Sequence, residues 1–206
     1  MSEGIEILFR LKGNDLDDLC DATEAAIEAG GGFGWLAPPE RTVLESYWKG
    51  ALLVPRLRVF VARLDGVICG SAQLLRPAGN NEAQAFSAQL QHAFIAPWAR
   101  GHGLARALTQ AVEDEARRES FTILILDVRE TQEAAIKLYE SLGFSRWGTN
   151  PFYARVGGRY LAGYHYFKPL DAGVTTGAVT ASARKKAVKN KPAKAATKKA
   201  EKKVAP

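Results

Sequence analysis

Hydrophobic residues recur along this chain at two periods, and the switches between them mark its elements. Ile5–Lys12 alternates apolar and polar positions, the period of a strand with one buried face. Asn14 or Asp15 can then cap a helix reaching about Ala29, with Leu16, Leu19, Thr23 and Ala26 near one face. Gly30-Gly31-Gly32 stops it. Pro38-Pro39-Glu40 opens a second helix through about Lys49, with proline near its first turn. Arg58–Leu64 and Val67–Arg76 read as two strands around Asp65-Gly66, a hairpin turn signal. Pro77–Ala85 is a polar loop, and Phe86–Ala96 is a further strand ended by Pro97. Leu104, Ala107, Leu108, Ala111, Val112 and Ala116 return at helical spacing, predicting a helix over Gly103–Arg118. The run Ile123-Leu124-Ile125-Leu126 predicts a buried strand over Phe121–Val128. Gln132–Leu142 is a helix ended by Gly143, and Phe144–Gly148 and Tyr160–Lys168 read as closing strands. Strands and helices interleave, so the expected fold class is α/β (α+β): one mixed central sheet flanked by helices. No internal repeat is visible.

With 47% hydrophobic residues the chain can bury a sizeable core. No apolar run reaches the roughly 18 residues that a membrane-spanning helix needs, so no membrane partner is expected. Met1–Lys12 is charged and alternating, unlike the basic-then-apolar plan of a secretory signal. Cys20 and Cys69 show no metal-ligand spacing, and no metal is expected. A disulfide between them stays open on sequence, but free thiols in a reducing cytoplasm are the simpler reading.

Charge redraws the picture. Residues 172–206 hold ten of the 28 basic residues and one of the 22 acidic ones, so the overall +6 belongs to this tail and residues 1–171 carry −3. The tail is Ala, Lys, Val, Thr and Pro without an aromatic residue. Such a segment buries too little apolar surface to offset its ordering entropy, and disorder is expected there. The expected organisation is therefore a domain over 1–171 and a disordered Lys/Ala-rich tail over 172–206. The tail resembles linker-histone C-terminal segments in composition, which suits non-specific nucleic-acid contact or simple solubilisation.

The chemistry concentrates in Arg100-Gly101-His102-Gly103-Leu104-Ala105, between a strand and a helix. Glycines there can take backbone angles closed to other residues, so the loop N–H groups can converge on one point. The helix start adds unsatisfied N–H groups and the positive end of its dipole. Arg100 adds a charge, and the whole would cradle a pyrophosphate. A tight strand-to-helix turn explains two glycines equally well. The loop lacks the Gly-Lys-Ser/Thr of a P-loop and the third glycine of the dinucleotide fingerprint.

The wider segment Phe94-Ile95-Ala96-Pro97-Trp98-Ala99-Arg100-Gly101-His102-Gly103-Leu104-Ala105-Arg106-Ala107-Leu108 resembles the acetyl-CoA signature of the GNAT (Gcn5-related N-acetyltransferase) superfamily, Arg/Gln-x-x-Gly-x-Gly/Ala, through Arg100, Gly103 and Ala105. Ala134-Ala135-Ile136-Lys137-Leu138-Tyr139-Glu140-Ser141-Leu142-Gly143-Phe144 is similar to the family's Ala-x-x-Leu-Tyr-x-x-x-Gly-Phe segment. Together the two cover the defining parts of a resemblance over about residues 3–170. It implies acetyl-CoA as co-substrate, with the strand backbone at Phe94 and Ile95 on the pantetheine arm and acetyl carbonyl. It implies that backbone N–H groups of Arg100, Gly101, His102, Gly103, Leu104 and Ala105 hold the pyrophosphate. Tyr139, otherwise an ordinary packed helix residue, matches the tyrosine that protonates the leaving thiolate and sits near the thioester. The family often has Asn where this chain has Gln132 or the neighbouring Thr131; Gln132 can contact the cofactor arm similarly but reaches further.

Transfer to a primary amine by direct attack in a ternary complex is the scheme the resemblance implies. A base must take the amine proton. His92, with an ordinary pKa of about 6.5, and Glu28, Glu40 and Glu45 are candidates; a surface or core histidine is the alternative for the first. Gln91 and His92 should point to opposite faces of their strand. Phe33 and Trp35, flanked by glycines, are the expected acceptor contacts or else core plugs, together with Gln91. Tyr47-Trp48-Lys49-Gly50 and Tyr166-Phe167-Lys168-Pro169-Leu170 resemble the tabtoxin-resistance-type small-molecule branch, in which Tyr153 falls in the segment closing the acceptor site. A small-molecule amine is the expected acceptor, a protein or peptide amine the alternative. A third reading is an acetyl-CoA-sensing, nucleic-acid-associated protein working through its tail. A homodimer is expected from the superfamily.

Overall fold

The sequence period of two is realised as a single sheet. Its strands are β1 (Glu3–Ile7), β2 (Leu57–Leu64), β3 (Val67–Leu75), β4 (Ser87–Ile95), β5 (Ile123–Arg129), β6 (Ser145–Val156) and β7 (Arg159–Pro169), in the order β1-β2-β3-β4-β5-β7-β6. Every neighbouring pair is antiparallel except β4 and β5, which are parallel. The helices are α1 (Asp15–Glu28), α2 (Arg41–Leu53), α3 (Leu104–Arg118) and α4 (Glu133–Ser141). This computed structural model describes residues 3–31, 33–171 and 173. The segment expected to be disordered, 172–206, lies outside the described residues apart from residue 173.

Two cores lie on opposite faces of the sheet, and β2 shows why. Val59 and Val61 point to one face, packing with Leu19, Ala22, Leu44 and Trp48 of α1 and α2. Phe60 and Ala62 point to the other, packing with Leu104, Leu108, Val112 and Ala116 of α3. Both faces are covered, so the strand reads as a continuous apolar run. The turn at Asp65 and Gly66 has φ of 50° and 87°, the double positive φ of a primed hairpin turn. Cys20 and Cys69 are buried free thiols.

Several boundaries differ from the sequence pattern for identifiable reasons. β1 starts at Glu3 and ends at Ile7, although the Leu8 amide still donates to the Val59 carbonyl at 2.9 Å. Asn14 makes no side-chain cap at α1. Asp15 instead accepts from the Lys12 amide at 2.9 Å and from the Arg63 guanidinium at 2.8 Å. Pro38 and Pro39 precede α2, which runs past Lys49 to Leu53 because its last turn still buries Ala51. β6 is much longer than Phe144–Gly148. It is an exposed edge strand held by its pairing with β7 from Ser145–Phe167 to Val156–Arg159, so its pattern carried no apolar signal. β5 is not buried on both faces. Leu124, Leu126 and Val128 face the α3 core, while Ile125 is 37% exposed, because the α1–α2 core includes no β5 residue.

Trp48 illustrates how polar groups are handled inside. Its indole N–H donates to Thr23 Oγ1 at 3.1 Å, and that hydroxyl donates to the Leu19 carbonyl at 2.6 Å; both side chains are fully buried. Replacing Thr23 by Val keeps the shape and orphans the indole donor. We expect a loss of about 1–3 kcal/mol in urea unfolding followed by tryptophan fluorescence; an unchanged midpoint would mean the indole finds another acceptor.

Candidate active site

The sheet opens in its middle. β4 and β5 pair only from Ser87–Ile123 to Gln89–Ile125, and beyond that point they separate. On its other side β4 slips against β3: Ser71 pairs with Phe94 but Gln73 pairs with Gln91, which leaves one extra β4 residue between them. His92 sits in this bulge with φ 49°, a conformation unusual for a residue with a side chain. A cleft lies on each side of the opening. One, of about 500 Å³, is lined by Phe33, Leu36, Gln89, Gln91, His92, Asp127, Arg129, Tyr153 and Arg155 among others. The other, of about 680 Å³, runs along Phe94, Ile95, Arg100, Gly101, Gly103, Leu104 and Ala105. They share Ala93, Gln132, Ala135 and Tyr139.

The bulge overturns the expectation that Gln91 and His92 diverge. Gln91 Nε2 donates to Gln73 Oε1 at 3.2 Å, and His92 Nδ1 lies 3.0 Å from the same oxygen. Gln73 Nε2 donates to the Tyr47 hydroxyl at 2.9 Å, and that oxygen is 2.9 Å from His92 Nδ1. With Gln73 Oε1 as acceptor, the imidazole proton is assigned to Nδ1 and Nε2 keeps its lone pair. Phe33 stacks on the ring at 5.4 Å between centroids and 13° between planes. Burial lowers the His92 pKa below 6.5, with Asp127 opposing that shift.

Asp127 organises the other wall. Tyr153 donates its hydroxyl to Asp127 Oδ2, and Gln89 Nε2 donates to Oδ1 at 3.0 Å. Burial and this carboxylate push the Tyr153 pKa well up. Tyr153 lies flat over Gly163 of β7, where any Cβ would overlap its ring. Tyr139, buried at the junction of the clefts, has its pKa raised to about 12 by burial and by Asp127, so its hydroxyl keeps its proton at neutral pH.

The second cleft fits a pyrophosphate-bearing cofactor. Gly101 and Gly103 have φ of 89° and 73°, and the space where a Cβ would stand is open at both. Gly103 begins α3. The first amides bonded back are those of Arg106 and Ala107, both to the Gly103 carbonyl, so the preceding N–H groups lack intrahelical acceptors. Arg100 lines the cleft and is exposed, but its amide donates to the Pro97 carbonyl at 3.3 Å in the turn that follows β4, so the expected cradle of amides loses its first member.

Not every expected side chain faces a cleft. His102 turns to Glu3 of β1, Nδ1 lying 3.3 Å from its carboxylate, and does not line the cofactor cleft. Trp35 packs behind Phe33 and against Tyr47, so it is a core support rather than a cleft wall; Gly34 and Leu36 line the cleft in its place. Gln132 lines both clefts, but its amide nitrogen donates to the Gly30 carbonyl at 2.5 Å and ties α4 to the end of α1. Glu28, Glu40 and Glu45 line neither cleft; Glu45 pairs with Lys49 at 3.0 Å. Trp48 and Tyr166, two residues behind the resemblance to the tabtoxin-resistance branch, are fully buried and say nothing about an acceptor. Asp127, Gln73, Tyr47, Gln89, Arg129 and Arg155 were missed. For Asp127 a signal existed: a carboxylate closing an otherwise apolar strand run.

The family model for the acetyltransferase (GNAT) family matches residues 20–144, which include the bulge, the glycine loop and Tyr139. The chain belongs to the GNAT acetyltransferase family. It is thus an N-acetyltransferase, an acyl-transferring enzyme. An uncharacterized N-acetyltransferase of the hisH-hisA intergenic region of Azospirillum brasilense is 63% identical over 128 residues, 62% of this chain and 76% of that protein. Among solved GNAT-fold structures, an N-acetyltransferase from Staphylococcus aureus Mu50 aligns with a TM-score of 0.71 at 20% identity, over 83% of this chain and all of that one. The putative acetyltransferase yncA of Salmonella typhimurium, solved with its cofactor acetyl-CoA, aligns with a TM-score of 0.69 at 20% identity, over 86% and 99%.

The half-buried His92 of this GNAT domain makes its stability depend on pH. Its folded pKa lies below the unfolded value, so the unfolded chain takes up the proton first. Stability is full above about pH 6.5 and falls as pH drops towards the folded pKa. We expect His92→Gln to flatten that dependence in urea midpoints measured between pH 7 and 5; an identical slope would mean that His92 does not contribute.

Proposed function

We propose that this enzyme moves an acetyl group from acetyl-CoA to a primary amine of a small molecule, by direct attack in a ternary complex. The observation that carries this reading is the meeting of two separate clefts at Ala93 and Tyr139, where β4 and β5 part. One has the amide-rich helix start and open glycines that suit a pyrophosphate; the other is a polar chamber of about 500 Å³. A chamber of that volume suits a small molecule.

Acetyl-CoA, when bound, supplies an acetyl thioester whose carbonyl carbon takes the amine and whose sulfur leaves as a thiolate. In this reading backbone N–H groups from Gly101 to Ala105 hold the pyrophosphate, with the Arg100 charge beside them. The β4 backbone at Phe94 and Ile95 orients the pantetheine arm, and Gln132 closes over it. Tyr139 donates its proton to the sulfur. Its raised pKa keeps it protonated at rest, so the proton is present when the thiolate departs, although a hydroxyl raised to about 12 is a weaker acid than a thiol and gives that proton up only as charge builds on the sulfur. His92 Nε2 accepts the amine proton. Its lowered pKa keeps it neutral and ready, at the cost of basicity. Gln73 is a positioning residue that fixes the imidazole tautomer through Nδ1. Phe33, Gln91 and Tyr153 bound the acceptor.

Gly103→Glu adds a side chain at a positive φ and a negative charge to the cradle. We expect calorimetry to show no acetyl-CoA binding while circular dichroism stays native; retained affinity in a folded variant would sink the cofactor assignment. Tyr139→Phe is expected to lower kcat by about 100-fold with acetyl-CoA affinity kept, the scale of a lost general acid. Unchanged kcat across pH would remove that role.

A further inference from the structure

The charged groups lining the acceptor cleft do not balance. One is the Asp127 carboxylate, whose two oxygens are taken by Tyr153 and Gln89. The others are the guanidiniums of Arg129, at the end of β5, and Arg155, near the end of β6. Arg41, Arg58, Arg63, Arg76, Arg117 and Arg118 face carboxylates, whereas Arg106 and Arg146, which also have no carboxylate partner, bond hydroxyls and do not line the acceptor cleft. Arg129 and Arg155 have no ion pair or side-chain hydrogen bond among the described residues. Arg155 only lies over the exposed Tyr160 ring, 5.8 Å from its centroid. Both guanidiniums line the same chamber without a carboxylate partner, and their planar forks suit a carboxylate.

We infer that the acceptor amine carries its own carboxylate, as an amino acid does, and that Arg129 and Arg155 hold it. This inference rests on the small-molecule reading above and deepens it. The charge order along the cleft matches such a molecule. Asp127 is close enough to His92 and Tyr139 to raise the proton affinity of both, so it lies towards the reacting end and suits an arriving ammonium. Arg129 stands two residues further along β5, on the same strand face as Asp127, and it lowers the Tyr153 pKa where Asp127 raises it. Phe33 and Leu36 add apolar surface to the same cleft for a side chain. A polyamine would instead bring a second cation against two guanidiniums.

Matched pairs test this directly. Release of free thiol from acetyl-CoA is followed with phenylalanine against phenethylamine, tryptophan against tryptamine, lysine against cadaverine, and phosphoethanolamine against ethanolamine. We expect the carboxylate-bearing member of at least one of the first three pairs to be favoured at least about tenfold in kcat/KM. Arg129→Gln and Arg155→Gln should each cut that preference about tenfold, chiefly through KM, with acetyl-CoA affinity by calorimetry reporting an intact fold. Turnover of amines without preference for the carboxylate, an unchanged preference in both variants, or a preference for phosphoethanolamine alone would overturn the inference while leaving the small-molecule reading. Turnover of peptides with none of these compounds would overturn both.

Discussion

One extra residue in β4 governs the site. The bulge at His92 breaks the register with β3, and β4 then leaves β5 after only three paired residues. A sheet that stayed paired there would have no room for a ligand between its strands. Instead the parting strands leave an opening, with α3 and α4 on one side and the Phe33–Leu36 segment on the other. The same slip turns Gln91 and His92 towards one partner, Gln73. A buried amide thus satisfies its neighbours and fixes a ring at once. A positive φ at a histidine is costly, and packing against Phe33 and the Gln73 bonds holds it.

The electrostatics follow from that opening. Asp127 stands on the strand that parts from β4, and its field reaches His92, Tyr139 and Tyr153. Burial works against ionisation of the same three groups. The result is a tyrosine and a histidine that are both neutral at neutral pH, which suits the acid and base roles proposed for Tyr139 and His92. Gly163 belongs to this arrangement although it lies on β7, because only a residue without Cβ lets Tyr153 lie flat and reach Asp127.

The fold was largely legible in the sequence, and so was the grouping of residues along the second cleft. The turn at Asp65-Gly66, the helix after Gly103 and the two-faced burial of β2 each have a local cause. Phe94, Ile95, Arg100, Gly101, Gly103, Leu104, Ala105 and Tyr139, proposed to hold the cofactor, line one cleft together. Gln91, His92, Phe33 and Tyr153 line the other cleft, proposed for the acceptor. What escaped was non-local. A register slip leaves no mark on strand periodicity, so the convergence of Gln91 and His92 on Gln73 could not be read. Gln73 itself looked like a polar interruption in a buried strand. Asp127, Arg129 and Arg155 become neighbours only because β5 and β6 both flank β7. Trp35 and His102 show the reverse error, since proximity in sequence to a site does not aim a side chain into it.

The central claim is that acyl donor and acceptor meet where β4 parts from β5. A crystal structure of this chain grown with acetyl-CoA tests it most directly. The account predicts the pyrophosphate on the amides of Gly101 to Ala105 and the thioester between the β4 backbone at Ala93 and the Tyr139 hydroxyl, with its acetyl group facing the cleft of His92 and Asp127. Cofactor bound elsewhere, or a thioester turned away from that cleft, would contradict it.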